Sequence, residues 1–345
     1  MNGVWTLIAA VLSFIFTALL GKVLIPFLHK LKYGQTILEI GPSWHKNKQG
    51  TPTMGGIMFI IAIFFTVLVC VPLYYIMSGG SILNMTETPL MTTKIFAGLL
   101  MAVGFGLIGF FDDYIKVVKK RNLGLTSIQK LLLQFLVAAA YLASLYMVEV
   151  SQGGTHATTS IIPFVGNVDF GYFYWILSAL LIVGMVNAVN FTDGIDGLNA
   201  SVTFFAAIFF MIISSLVGML GLSIMAASLS GGCLGFLIWN FNPAKVFMGD
   251  TGSLFLGGMV CALAFGLDMP ILLLPMGIVY ICEICSVVLQ VLYFKATKGK
   301  RLFKMSPIHH HFEMCGWSEV KICTIFGIVS AIGGIISVVL VIFGI

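Results

Sequence analysis

Charge is what this 345-residue chain has least of: 9% of its residues are Asp, Glu, Lys or Arg, where a soluble domain averages about 25%. With 59% hydrophobic residues and a mean hydropathy of +1.07, that scarcity excludes a water-soluble globular protein and leaves a polytopic membrane protein. Acids are scarcer still, 13 in all, and only Glu283 falls near the middle of an apolar run. Ion-coupled transporters hold ionisable groups at the membrane midplane on broken helices, so one midspan acid is weak support for an anion transporter. The seven cysteines are scattered. Cys282 and Cys285 form a CxxC inside a continuous apolar helix, where packing is expected in place of redox chemistry or zinc. No internal repeat and no low-complexity linker is present, so a single domain over 1–345 is expected. The first apolar run is too long for a cleavable signal peptide and lacks a basic start.

What is present in quantity is long apolar runs. A membrane span needs roughly 20 of them in a row, and ten are found at about 4–27, 54–77, 95–114, 128–149, 172–190, 198–217, 220–240, 253–267, 271–294 and 322–344. The expected fold is all-α, with a small β-hairpin in the 150–171 segment around "PFVGN". Of the 18 Lys and Arg, only Lys94 lies on the side of the 78–94, 150–171 and 268–270 loops. The positive-inside rule then puts the opposite loops in the cytoplasm and both termini outside. The net charge of +5 is in effect a basic cytoplasmic face, suited to anionic membrane lipids or anionic substrates.

The acids gather on that same face, at span ends and in adjoining loops, which favours chemistry at the membrane surface over passage through it. Asp112 and Asp113 of "FFDDYIKVVKKRNLG" abut an apolar span; they suit a general base or a Mg²⁺ pair, and Lys116, Lys119, Lys120 and Arg121 beyond them suit a phosphate. The plain alternative is a polar helix end with snorkelling lysines. "NAVNFTDGIDGLNA" offers Asn187, Asn190, Asp193 and Asp196, the two acids sharing a face if the segment is helical, with Gly194 and Gly197 permitting tight backbone. "NFNPAKVFMGDTGSLFLGG" adds Asn240, Asn242, Lys245 and Asp250; it resembles a phosphate-binding loop without being a Walker A motif, and its Gly and Ser suit a helix cap equally well. "SPIHHHFE" holds His309, His310 and His311, half of the six histidines. Three consecutive side chains diverge in a helix or a strand, so a three-His zinc site is not expected. An anion-binding rim with Lys295, Lys298, Lys300, Arg301 and Lys304 is the sharper reading, a solvated basic loop the plainer one. Acids for a divalent metal, bases for phosphates and Asn/Gly loops for a sugar or nucleobase together suit metal-bridged phosphoryl transfer.

Taken in order, "GTPTMGG" (50–56), "FFDDY", "NAVNFTDGIDGLNA", "FNPAKVFMGDTGS" and "SPIHHHFE" resemble the phospho-N-acetylmuramoyl-pentapeptide-transferase family, within the superfamily of polyprenyl-phosphate N-acetylhexosamine-1-phosphate transferases. The aspartate motifs indicate the superfamily; "TPTMGG" and the histidines narrow it. The resemblance implies transfer of phospho-MurNAc-pentapeptide from UDP-MurNAc-pentapeptide to undecaprenyl phosphate, giving lipid I and UMP, with Mg²⁺ required. It implies Asp250 as the Mg²⁺ ligand and Asp112, Asp113 and His309 as catalytic. It implies a substrate site of Lys48, Thr53, Lys116, Lys120, Lys130, Asn187, Asn190, Asp193, Gly194, Ile195, Asp196, Asn240, Phe247, Gln290, His310 and His311, with Phe247 stacked on uracil. It implies active-site segments 28–53, 112–130, 187–200, 240–253 and 295–318 on the cytoplasmic side of the bacterial inner membrane, a homodimer, and no nucleic-acid partner. Glu283 has no place in this scheme; packing or helix bending is expected of it. The rival enzyme is a transferase acting on UDP-GlcNAc, and the rival of another class is the anion transporter.

Overall fold

The computed structural model describes residues 2–30, 48, 50–77, 89–118, 124–154 and 157–345. Among them are ten helices long and apolar enough to cross a membrane. They are α1 (Asn2–Lys30), α2 (Gly56–Met77), α3 (Pro89–Val118), α4 (Ser127–Ser151), α5 (Phe173–Thr192), α6 (Leu198–Leu216), α7 (Leu220–Asn240), α8 (Gly249–Gly266), α9 (Ile278–Ala296) and α11 (Glu319–Gly344). The short α10 (Ile308–Glu313) carries the three histidines. Inside hydrocarbon a helix satisfies every backbone N–H and C=O within its own segment, which is why apolar runs of this length become helices and nothing else. The protein is therefore the multi-pass, all-α architecture expected.

The expected spans differ from the helices chiefly at their ends. The third begins at Pro89 and runs on to Val118, and the eighth begins at Gly249, so Asp112, Asp113 and Asp250 lie within helical turns and not in loops. The ninth starts at Ile278 instead of about 271, because Pro270 and Pro275 confine 270–276 to a 3₁₀ turn and one short helical turn. Thr126 starts α4 with a capping box, its hydroxyl accepting from Gln129 N and the Gln129 side chain accepting from Thr126 N, which fixes Lys130 on the first turn.

α8 is the centre of the bundle. Its residues are almost all buried, and it packs most extensively on α3, then on α5 and α2. Small residues allow the approach: Gly258 lies against Ala102 of α3, Gly257 against Val186 of α5, and Gly56 of α2 against the backbone of Gly252. Without a hydrophobic drive between helices in lipid, this close backbone packing is what holds them together. α1 lies on α7, and α11 on α6.

The expected hairpin is present, with β1 (Thr159–Ile162) antiparallel to β2 (Gly166–Asp169). It joins the far ends of two other elements, since Ile161 N donates to Asp268 O at 2.8 Å and Phe164 N to Gly344 O at 2.8 Å. Asp268 also pairs with the buried Lys94 at 2.5 Å on this side. The three acid motifs and the histidine segment lie at the other end of the bundle, so hairpin and chemistry occupy opposite faces.

Candidate active site

The last turn but one of α3 and the first turn of α8 meet because Gly109 presses against the Asp250 backbone with no side chain in the way. That contact brings Asp112, Asp113 and Asp250 together, with one carboxylate oxygen of each lying within 4.8 Å of the others. Asp112 and Asp113 are buried. Three converging carboxylates are the donor set of a hard cation with oxygen ligands, and the group fits a divalent metal.

Each carboxylate is held from a different direction. Asp113 Oδ2 accepts from Thr251 N at 2.9 Å and Thr251 Oγ1 at 2.7 Å. Asp112 Oδ1 accepts from Leu125 N at 2.7 Å. Asp250 Oδ1 accepts from Asn190 Nδ2 at 2.9 Å, and that amide also donates to Ser253 Oγ at 2.7 Å. Two ammonium groups balance the charge: Lys130 Nζ lies 2.8 Å from Asp250 Oδ2, and Lys116 Nζ lies 3.1 Å from Asp250 and 2.6 Å from Asp112. Gly249, at φ +70°, sits between the Asp113 carboxylate and the Thr53 hydroxyl where a Cβ has no room. Thr53 arrives there because residues 52–56 pair with 247–248: Phe247 N donates to Pro52 O, and Gly55 N to Phe247 O, each at 2.8 Å.

Residues 193–197 are not helical, so Asp193 and Asp196 do not share a helix face as anticipated; Gly194 and Gly197, the latter at φ +76°, turn the chain between α5 and α6. Asp193 remains near the carboxylates. Its enclosed position pushes its carboxyl well above the usual range, and the charges of Asp250, Asp113 and Asp196 push it further. Asp196 is fully engaged: Lys48 Nζ is 2.7 Å from Oδ1, and Asn242 Nδ2 and Ala244 N donate to Oδ2 at 3.1 and 2.9 Å. Glu319, at the start of α11, completes a triad by accepting from Lys48 Nζ at 2.7 Å and Asp196 N at 2.9 Å. Nothing in the sequence beyond an acid in a basic loop marked Glu319, because its partners are 271 and 123 residues away.

Other anticipated residues organise loops. Asn240 clamps Gly197 N at 3.1 Å and Val246 O at 2.9 Å. Gln290 accepts from Leu302 N and Phe303 N at 3.0 and 2.9 Å. Asn187 faces Gln134 of α4, donating to its Oε1 at 2.7 Å. Ile195 is buried, and the Phe247 ring is half-buried. Lys120, with Lys119 and Arg121 and most of the 28–53 segment, lies outside the described residues.

The three histidines diverge on α10, as consecutive residues must. His310 Nδ1 is 2.6 Å from Glu313 Oε2, and His311 Nδ1 accepts from Lys304 N at 3.1 Å. His309 departs from the expected rim. It is wholly buried, its Nδ1 3.0 Å from Glu283 Oε2, which is equally buried. Its other face abuts Gly194, where any side chain would run into the imidazole Nε2. Glu283 therefore has a polar partner, which packing alone did not anticipate; the pairing spans 26 residues and one helix boundary.

The family model for glycosyl transferase family 4 matches residues 95–268, which hold Asp112, Asp113 and Asp250. The phospho-N-acetylmuramoyl-pentapeptide-transferase signature 1 matches residues 48–60, from Lys48 through Thr53 into α2. Proteins named phospho-N-acetylmuramoyl-pentapeptide-transferase are similar over nearly the whole chain. One from Clostridium perfringens is 45% identical over 94% of this chain and 95% of its own. One from Halalkalibacterium halodurans is 43% identical over 97% of each, and one from Listeria welshimeri is 45% identical over 96% of each. Identity of 43–45% over nearly the whole length of both chains shows that this chain belongs to the phospho-N-acetylmuramoyl-pentapeptide-transferase family.

Proposed function

We propose that the protein transfers phospho-MurNAc-pentapeptide from UDP-MurNAc-pentapeptide to undecaprenyl phosphate, releasing UMP and forming lipid I. The observation that carries this is the Asp112–Asp113–Asp250 cluster, flanked by Lys116 and Lys130, in a chain 45% identical to a named transferase of this kind. Asp250, with Asp112 and Asp113 beside it, would hold Mg²⁺, which would supply positive charge where negative charge builds on the departing UMP. The two substrates are both anionic and repel. Lys116 and Lys130, the two ammonium groups beside the cluster, offset that repulsion by pairing with phosphate oxygens. One of Asp112 and Asp113 activates the lipid phosphate. Asn190 keeps Asp250 in place, and Asn240 shapes the Gly194–Ile195–Asp196 loop as a uridine pocket. Stacking of Phe247 on the base contributes about 1–3 kcal/mol. Lys48, Thr53, Lys120, Asn187, Asp193, Gln290, His310 and His311 complete the substrate site, and His309 acts on the reacting phosphates.

Incubation of the purified protein with UDP-MurNAc-pentapeptide, undecaprenyl phosphate and Mg²⁺ is expected to release UMP in step with a lipid-linked product, and a chelator is expected to stop it. Faster turnover of UDP-GlcNAc would transfer the assignment to the rival enzyme, and flux into proteoliposomes without any lipid product would assign it to transport.

The site faces the cytoplasm of the inner membrane in this proposal, in a homodimer with both termini outside. Lys94 as the one cation on the hairpin side supports that sidedness. Reporter fusions at Ile345 are expected to be active only outside the inner membrane; activity confined to the cytoplasm would reverse the topology.

A further inference from the structure

Glu283 is an acid in the second turn of α9, enclosed by protein and wholly out of contact with solvent. An ionisable side chain at that depth is costly to bury, and it persists where it has a partner and a task. Its partner is His309: Glu283 Oε2 lies 3.0 Å from Nδ1, and both side chains are fully buried. Two further atoms of this pair are buried with no hydrogen-bond partner among the described residues, Glu283 Oε1 and His309 Nε2. A buried polar atom left unmade costs free energy, so an orphan on each member of one pair calls for a role. The orphan Nε2 lies against Gly194, in the turn between α5 and α6, and only a residue without a side chain lets the ring sit so close to that turn. Gly194 follows Asp193, whose carboxyl feels the charges of Asp250 and Asp113.

Resting on the transferase reading above, we infer that Glu283 is a positioning residue: it orients His309 so that Nε2 is presented to substrate beside Gly194. A carboxylate only accepts, so its bond to Nδ1 assigns a proton to that nitrogen and leaves Nε2 as the atom free for the ligand. The arrangement is the one by which carboxylates orient metal-binding or catalytic imidazoles, where the second nitrogen does the work. Burial on a rigid membrane helix holds the ring in one rotation. Packing could be met by any side chain of the same volume; orientation of the ring cannot.

The test is kinetic, in full-length purified protein with UDP-MurNAc-pentapeptide, undecaprenyl phosphate and Mg²⁺. Glu283→Gln keeps the shape and loses the fixed acceptor, since its amide can also present N–H to the ring. It is expected to lower kcat about ten- to a hundred-fold, the range for removing a partner that orients a ligating histidine, with little change in the thermal midpoint or in KM for the lipid. In a His309→Ala background the same substitution is expected to change kcat less than twofold. A kcat for Glu283→Gln within threefold of the parent overturns the inference. So does a loss of equal size in both backgrounds, because that is the signature of a structural effect independent of His309. If Glu283→Gln does not purify folded, Glu283→Asp replaces it, with a smaller expected loss and the same comparison between backgrounds. Turnover by the unsubstituted protein separates the two levels: if it makes no lipid product the transferase reading fails, whereas if it does and the variants match it, only the role of Glu283 fails.

Discussion

Asp250→Asn is expected to lower turnover a hundred- to a thousand-fold while the protein still folds and inserts. Both oxygens of the Asp250 carboxylate accept from donors, Oδ2 from Lys116 and Lys130 and Oδ1 from Asn190. An amide there must turn its own N–H₂ toward at least one of them, and a donor facing a donor is an unmade bond. The charge changes as well. The substitution removes one of the three carboxylates that converge where a cation would sit. Loss of one preorganised electrostatic contact in the transition state costs about 2.7–4 kcal/mol, which is the fold-change given. Stability should hold because the rest of α8 is packed by apolar and small residues that the change does not touch. Initial rates across a Mg²⁺ titration, with a thermal unfolding curve beside them, are the measurement. A tenth of the original turnover at saturating Mg²⁺ would remove Asp250 from the role of ligand.

The second large effect is expected at His309 and should be unequal along the triplet. His309→Ala removes the one imidazole that is fully buried and directed at Gly194, and a loss of about a hundred- to a thousand-fold in kcat is expected. His310→Ala breaks the 2.6 Å contact with Glu313 and is expected to cost less, about ten-fold. His311→Ala gives up a bond from Lys304 N on a partly open surface and is expected to stay within a few-fold of the parent, on the order of a single net hydrogen bond. Because the three rings are held by Glu283, Glu313 and Lys304 N, no one ion can gather them, and the purified protein should carry no stoichiometric zinc. Zinc lost on His310→Ala, or equal activity in all three variants, would each defeat this account.

The course of the chain was legible in its sequence where one local property decides the outcome. Ten apolar runs became ten helices because a lipid environment permits no other use of them, and the hairpin announced itself by the Thr- and Ile-rich stretches around "PFVGN". The carboxylates were legible as candidates, since Asp112, Asp113 and Asp250 interrupt or adjoin apolar runs. What no window of sequence carried was pairing at long range. Glu283 reads as an anomaly until α10 brings His309 beneath it, and Glu319 reads as a loop acid until Lys48 and Asp196 arrive from far upstream. Asp196 shows the limit most plainly: the motif marks it for a ligand, while the fold spends both of its oxygens on Lys48, Asn242 and Ala244.

The position of α8 has a consequence for how the protein is made. It is the least apolar of the ten spans and the most completely covered by its neighbours. A segment judged during biogenesis by its own partition into lipid would have a weak claim to stay. The helices that receive it, α2, α3 and α5, all precede it in the chain and are already in the bilayer when it emerges. Lodging of α8 against the glycine-lined faces of those helices is then the same event that brings Asp250 to Asp112 and Asp113. A nascent chain whose third helix is damaged should lose the eighth from the membrane with it, and be cleared by quality control before it ever exists as an inactive enzyme.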